Sequence, residues 1–245
     1  AQWAAHRQLA RDVSTTPSLA LTETWAGDWA CSDIYNKWPP QVAAELASFR
    51  WPITTVADFE RLLLCRYASP EAIVGCEFTA AIRTAYECHH GYSKVAISVD
   101  QRHSTTPGVH AILDLRVVAH LKVWQDGWFF PPCTHHVRSD RDHLHNKLQD
   151  GRAFWTMAFF VFCSCIPVVR RTIEQPNTII PDLYISYNQS LRPVDVGDDD
   201  SKPIFLYTDG HGDVRLLDRA ESDTDLVVRG CSGHKRLRDF VDSDA

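Results

Sequence analysis

The sequence predicts an α/β fold with a mostly parallel central sheet, and three observations carry that prediction. Short apolar runs recur and end in an acid: Glu71–Phe78 closes on Glu77, Lys94–Asp100 on Asp100, and Val168–Pro176 on Glu174 shortly before its proline. Between the first two, Thr79–Cys88 has helical spacing, so strand, turn, helix, strand and acid follow within about 30 residues, the order of a dinucleotide-type binding unit. The third is an apolar run, Gly127–Phe130, stopped by Pro131-Pro132, neither of which offers an amide proton, with Cys133 presented directly after the stop. Open α/β sheets put their ligands beyond the carboxyl ends of such strands, so Cys133 is the leading candidate for a reactive group.

Composition sets the frame. The 245 residues are 44% hydrophobic and 23% charged, the profile of an ordinary globular domain with additions. No window of about 18 uncharged apolar residues predicts a membrane span. The first residues lack an initiator Met and the basic-then-apolar order of a secretory signal, which suggests a processed chain or a segment of a longer one. The eight cysteines are spread through apolar segments instead of being spaced as a disulfide scaffold, so a reducing, intracellular setting is expected. A formal charge of −6 gives no global attraction to nucleic acid, and such contact would need a local basic patch.

Residues 1–69 read as a helical N-terminal extension. Ala4–Val13 and Gln41–Phe49 have helical spacing, and Thr55 with Asp58 three residues on resembles a capping box before a third helix. Trp3, Trp25, Trp29, Trp38 and Trp51 crowd this stretch, either as a small core or as a docking surface for a protein assembly. Ser69-Pro70 opens the main domain, 70–210. Within it Gly91 suits the left-handed stop of the first helix. His110–Leu115 gives a third polar strand end at Asp114, and Val117–Val123 is helix or strand. Arg138–Asp150, polar and His-rich, is expected to be a loop or lid, and Gly151–Cys165 a buried helix. Pro203–Thr208 is a last strand, after an acidic loop at Asp195–Lys202 and before an acidic tail, 211–245.

Several chemistries fit these residue types. Cys133 with His135, His136, His143 and His145 has the ligand types for zinc, but the spacing matches no standard finger. The deaminase signature fails because Pro-Cys is not followed by a second Cys at the required interval. A Cys133–His135 hydrolase dyad needs near neighbours on a strand end to face one another. The alternative is a thiol that works with an acid: Cys133 would add to carbon 6 of a cytosine while Glu174 holds the ring nitrogen, which activates carbon 5. The target base would have to be swung out of its duplex.

On these residues the chain resembles the small phage- and virus-type DNA cytosine methyltransferase-like proteins, which have a Rossmann-like fold that binds S-adenosylmethionine. Val74–Arg83 resembles the family's cofactor loop, and Val99-Asp100 the strand whose acid holds the cofactor ribose. Phe130–Thr134 is similar to the nucleophile motif and Ile173–Pro176 to Val-Glu-Asn-Pro. Order and spacing agree across 73–206, a little over half the chain. The resemblance implies Cys133 as nucleophile and Glu174 as the base-holding acid, with Cys76, Glu77, Phe78, Asp100, Asp114 and Pro131 around S-adenosylmethionine. It implies no metal and, as substrate, DNA. Thr79-Ala80 stands where the family has Ser-Gly, and Gln175 where it has Asn. These departures, with no recognisable target-reading domain, keep a second reading open: a degenerate methyltransferase fold serving as a binding or structural module in a larger, viral assembly.

Overall fold

The computed structural model describes residues 36–104, 106–138, 141–192 and 203–211. The helix expected at Ala4–Val13, Trp3, Trp25, Trp29, the acidic loop and the tail from Asp218 lie outside them. Among the described residues one sheet holds seven strands: β1 (Ala72–Gly75), β2 (Ala96–Asp100), β3 (His110–Ile112), β4 (Trp124–Phe129), β5 (Val168–Pro176), β6 (Gln189–Leu191) and β7 (Ile204–Asp209). Their spatial order is β3-β2-β1-β4-β5-β7-β6. The first five run parallel, and β7 is antiparallel to both its neighbours. This is a Rossmann-like α/β fold with a mostly parallel central sheet. Strand order reverses between β1 and β4, and a crevice opens past the carboxyl ends of strands at such a switch.

β1 and β2 are buried at every position, as parallel strands covered on both faces must be, which is why they read as unbroken apolar runs. The two faces differ. Ile73, Ile97, Val99 and Phe129 join the larger core with α1 (Pro40–Leu46), α2 (Val56–Leu63), α4 (Leu115–Val118) and α6 (Arg152–Cys165). Ala72, Val74 and Trp128 pack on the other face against Ile82 and Tyr86 of α3 (Ala81–His89). A polar network lies on that second face. Asp126, 1% exposed, takes Arg170 Nε at 2.6 Å, His211 Nε2 at 3.2 Å and the Tyr86 hydroxyl at 3.3 Å, and His211 stacks on Trp128.

The described part of the N-terminal extension belongs to the larger core. Trp38, Leu46, Trp51, Ile53, Phe59 and Leu62 are all buried in it. Ile53 forms a parallel bridge with Ala111, donating to His110 O and accepting from Ile112 N. The cap read at Thr55 is present: its Oγ1 accepts from Asp58 N at 3.1 Å. The loop expected over Arg138–Asp150 is corrected: α5 (Arg141–Gln149) occupies most of it and packs against α6. Polar side chains on nearly every face hid this helix from a periodicity argument. α6 is buried along one side only, since Phe154 and Trp155 face solvent. A short helix, α7 (Ile180–Leu183), follows β5.

Candidate functional site at the carboxyl edge of the sheet

β4 ends where Phe130 N donates to Gly75 O, and the chain then turns through Pro131-Pro132 to Cys133. Buried side chains hold this corner. Gln175 Nε2 donates to Pro131 O at 2.7 Å, so Gln175 Oε1 is turned toward His136 Nε2, 2.9 Å away. That oxygen only accepts, which makes Nε2 the protonated nitrogen and leaves Nδ1 to accept from the Thr156 hydroxyl at 2.7 Å. Burial holds the His136 pKa below its ordinary value, in keeping with this neutral tautomer. His136 N donates to Cys133 O at 3.0 Å and closes the turn, while Lys147 Nζ donates to Thr134 O at 3.0 Å. The corner is thereby tied to β5, α5 and α6. Gln175 is its central brace.

Glu174 points to the opposite side of β5 from Gln175. It lies inside the strand, opposite Leu206, because β7 pairs with β5 out to Pro176. Part of its side chain meets solvent, yet the fold encloses the carboxyl enough for burial to push its pKa up to about 7. The Cys133 thiol is also raised, first by burial and then by the charge of Glu174. Cys133 and Glu174 are thus brought within electrostatic reach of each other. His136 is consumed by the brace and is not arranged to take the Cys133 proton.

The residues assigned to cofactor surround the end of β1. Cys76 has a left-handed φ of 63°, and burial pushes its thiol up to about 12, with Asp100 and Asp114 raising it and Arg102 and Arg116 opposing. Those four charged groups therefore gather around Cys76. A side chain at Gly75 would meet Leu115 Cδ2 at 2.5 Å and Phe129 Cδ1 at 2.8 Å, so the strand end is closed tightly. Glu77 Oε1 accepts from Ile82 N at 2.8 Å and caps α3, and its buried Oε2 has no hydrogen-bond partner among the described residues. Ala80, at φ 60°, carries a Cβ in backbone that favours glycine. Asp100 Oδ1 accepts from Arg102 N at 2.9 Å and from Arg102 Nε at 3.1 Å. Asp114 caps α4 through Arg116 N at 2.9 Å and pairs with the Arg116 guanidinium. The Pro131 carbonyl is taken by Gln175, and the Phe78 ring lies under Arg102.

Sequence reasoning missed Arg102, Arg116 and Thr156, and it offered His136 only as a candidate zinc ligand and not as the brace of the corner. The arginines had a signal: among the described residues Asp-x-Arg occurs at 100–102, 114–116 and 150–152, and each time the Asp accepts from the backbone and side chain of the Arg two residues on. Beside the corner, Pro132, Thr134, His135, Trp155, Thr156 and Phe159 line a cavity of about 230 Å³. The Arg116 guanidinium is 5.4 Å from the Trp155 ring at its margin. Among the described residues no group of three or more His, Cys, Asp or Glu is placed to hold a metal, and no helix is long and apolar enough to cross a membrane.

An adenosine-type cofactor fits this edge in residue type. Asp100 suits a ribose diol, Asp114 an amine, Phe78 a planar ring, and the orphaned Glu77 Oε2 a further donor. It does so only where the arginines give way.

No family model and no curated protein sequence matches the chain. Solved structures similar to it include two rRNA methylases. An rRNA methylase from Escherichia coli has a TM-score of 0.31 at 10% identity, covering 68% of this chain and 64% of that one. The 16S rRNA methylase RmtB has a TM-score of 0.26 at 12% identity, covering 62% of this chain and 61% of that one. The chain thus spans less than two-thirds of the length of either.

Proposed function

We propose that the chain is an S-adenosylmethionine-dependent methyltransferase acting on carbon 5 of cytosine in DNA. The observation that carries this reading is that Cys133, in the corner after β4, and Glu174, on the adjacent β5, lie near enough for the Glu174 charge to raise the thiol. A proton passed from the thiol to the carboxylate yields, in one step, the thiolate needed to attack and the protonated acid needed to donate to a ring nitrogen. Burial raises Glu174 enough that it can hold that proton near neutrality. Cys133 Sγ then adds to carbon 6, Glu174 holds the ring nitrogen, and electron density collects at carbon 5. When bound, S-adenosylmethionine supplies an electrophilic methyl on a sulfonium. Loss of the carbon 5 proton and departure of Cys133 Sγ restore the ring. Cys76, Glu77, Phe78, Asp100 and Asp114 would hold the cofactor, and Gln175 and His136 keep the corner rigid during attack. Methyl transfer to duplex DNA should fall by at least about a thousandfold in Cys133→Ala. Undiminished transfer in that variant refutes the mechanism.

A second reading is supported by the engagement of Asp100 and Asp114 with arginines: the fold serves as a binding or structural module in a larger assembly. Failure of S-adenosylmethionine to bind in calorimetry, with the chain folded, favours the module over the enzyme.

A further inference from the structure

The carboxylate best placed for a ribose already has an occupant from its own chain. Arg102 reaches Asp100 with three donors: its backbone N at 2.9 Å, Nε at 3.1 Å and Nη2 at 3.4 Å. The same guanidinium lies over the Phe78 ring, 3.8 Å from its centre. That is a stacking distance, and it leaves no room for a second planar group on that side of the ring. Asp100 is 8% exposed, whereas the Arg102 side chain is 61% exposed. The guanidinium is thus a surface cover over a buried acid, free to swing into water.

Its backbone, by contrast, is anchored. His110 Nε2 bonds to Arg102 O at 2.9 Å, and since a carbonyl only accepts, that nitrogen carries the proton. His110 Nδ1 then accepts from Ser98 Oγ, which in turn accepts from the buried Arg83 Nη1 at 3.2 Å. The polarity of this relay is fixed from Arg83 to the Arg102 carbonyl. The cover therefore hinges at its side chain over a rigid main chain.

We propose that Arg102 is a ligand-competing gate that sets the affinity of the carboxyl edge for adenosine-type ligands: a nucleoside gains the Asp100 carboxylate and the Phe78 face only by displacing the Arg102 guanidinium from both. This rests on the cofactor reading above and adds a residue that nothing in that reading requires. An exposed ion pair and an exposed cation–π contact together correspond to about a tenfold loss of affinity. Freeing Asp100 also leaves it able to accept both hydroxyls of a diol.

The test is calorimetric titration of S-adenosylmethionine and of S-adenosylhomocysteine into the full chain as wild type, Arg102→Ala and Arg102→Gln. Both variants should bind about tenfold more tightly than wild type. S-adenosylhomocysteine has no sulfonium charge, so its salt dependence reports on the protein's own ion pair. Salt should narrow the gap between wild type and Arg102→Ala by screening the Arg102–Asp100 pair. Wild type binding as tightly as the variants, or more tightly, overturns the gate and leaves the cofactor reading standing. No binding by wild type or either variant overturns both. Binding by the variants alone supports both.

Discussion

Replacing Gln175 by Leu removes the brace of the Pro-Pro-Cys corner while keeping its volume close to native. Two buried groups lose their partners: the Pro131 carbonyl, reached by Nε2 at 2.7 Å, and His136 Nε2–H, which donates to Oε1 at 2.9 Å. Each buried polar group left unsatisfied costs about 1–3 kcal/mol, so the pair predicts a loss near 4 kcal/mol. Some returns through burial of the leucine side chain, which brings the net expectation to about 3 kcal/mol. Chemical denaturation of wild type and Gln175→Leu, compared at unchanged denaturant slope, reads this directly. A double-mutant cycle with His136→Ala isolates the shared contact, and a coupling of about 1 kcal/mol is expected. A loss below about 1 kcal/mol, or additivity within error, would mean that the corner is held by packing and that the tautomer argument for His136 is wrong.

Other outcomes follow from the same geometry. Glu174 has a folded pKa of about 7, above its ordinary value of 4.5, so the unfolded chain gives up that proton first and stability falls as pH rises between the two. Glu174→Gln removes this dependence, and the variant should gain on wild type by up to roughly 3 kcal/mol from pH 4.5 to 7; a gap that does not change with pH refutes the burial argument. Asp126→Ala strips Arg170, His211 and Tyr86 of their common acceptor and should cost about 3 kcal/mol in thermal unfolding. Thr55→Ala, losing the α2 cap, should cost about 1 kcal/mol by the same measurement.

What was readable in the sequence follows the range of the interactions. β1 and β2 announce themselves because a parallel strand buried on both faces reads as a predominantly apolar run, whereas β4 and β5 carry Asp126, Arg170 and Arg171 and show an apolar signal over only part of their length. The Thr55 cap and the Gly91 stop are local and equally legible. α5 was not, because a polar helix resting on one neighbour has no apolar stripe to give a period. Glu174 was read as a strand end, since only the distant β7, by pairing as far as Pro176, reveals that β5 continues. The Gln175–His136–Thr156 brace joins residues 39 and 20 positions apart, beyond any pattern in one sequence. The arginines on Asp100 and Asp114 were within reach, because an Asp two residues before an Arg can fold back on both its backbone and its side chain.

The bridge from Ile53 to Ala111 bears on how this chain can be divided. β3 is three residues long and stands at the rim of the sheet, and Ile53 takes up the hydrogen bonds that its open side would otherwise offer to another molecule. Phe59 and Leu62 meanwhile fill the sheet's larger core from the same segment. A fragment begun at residue 70 would expose an unpaired strand and an apolar trench together, the combination that drives edge-to-edge association. Over the described residues the seam at Ser69-Pro70 separates two stretches of sequence that share one core, and residues 36–69 act as the sheet's selvedge.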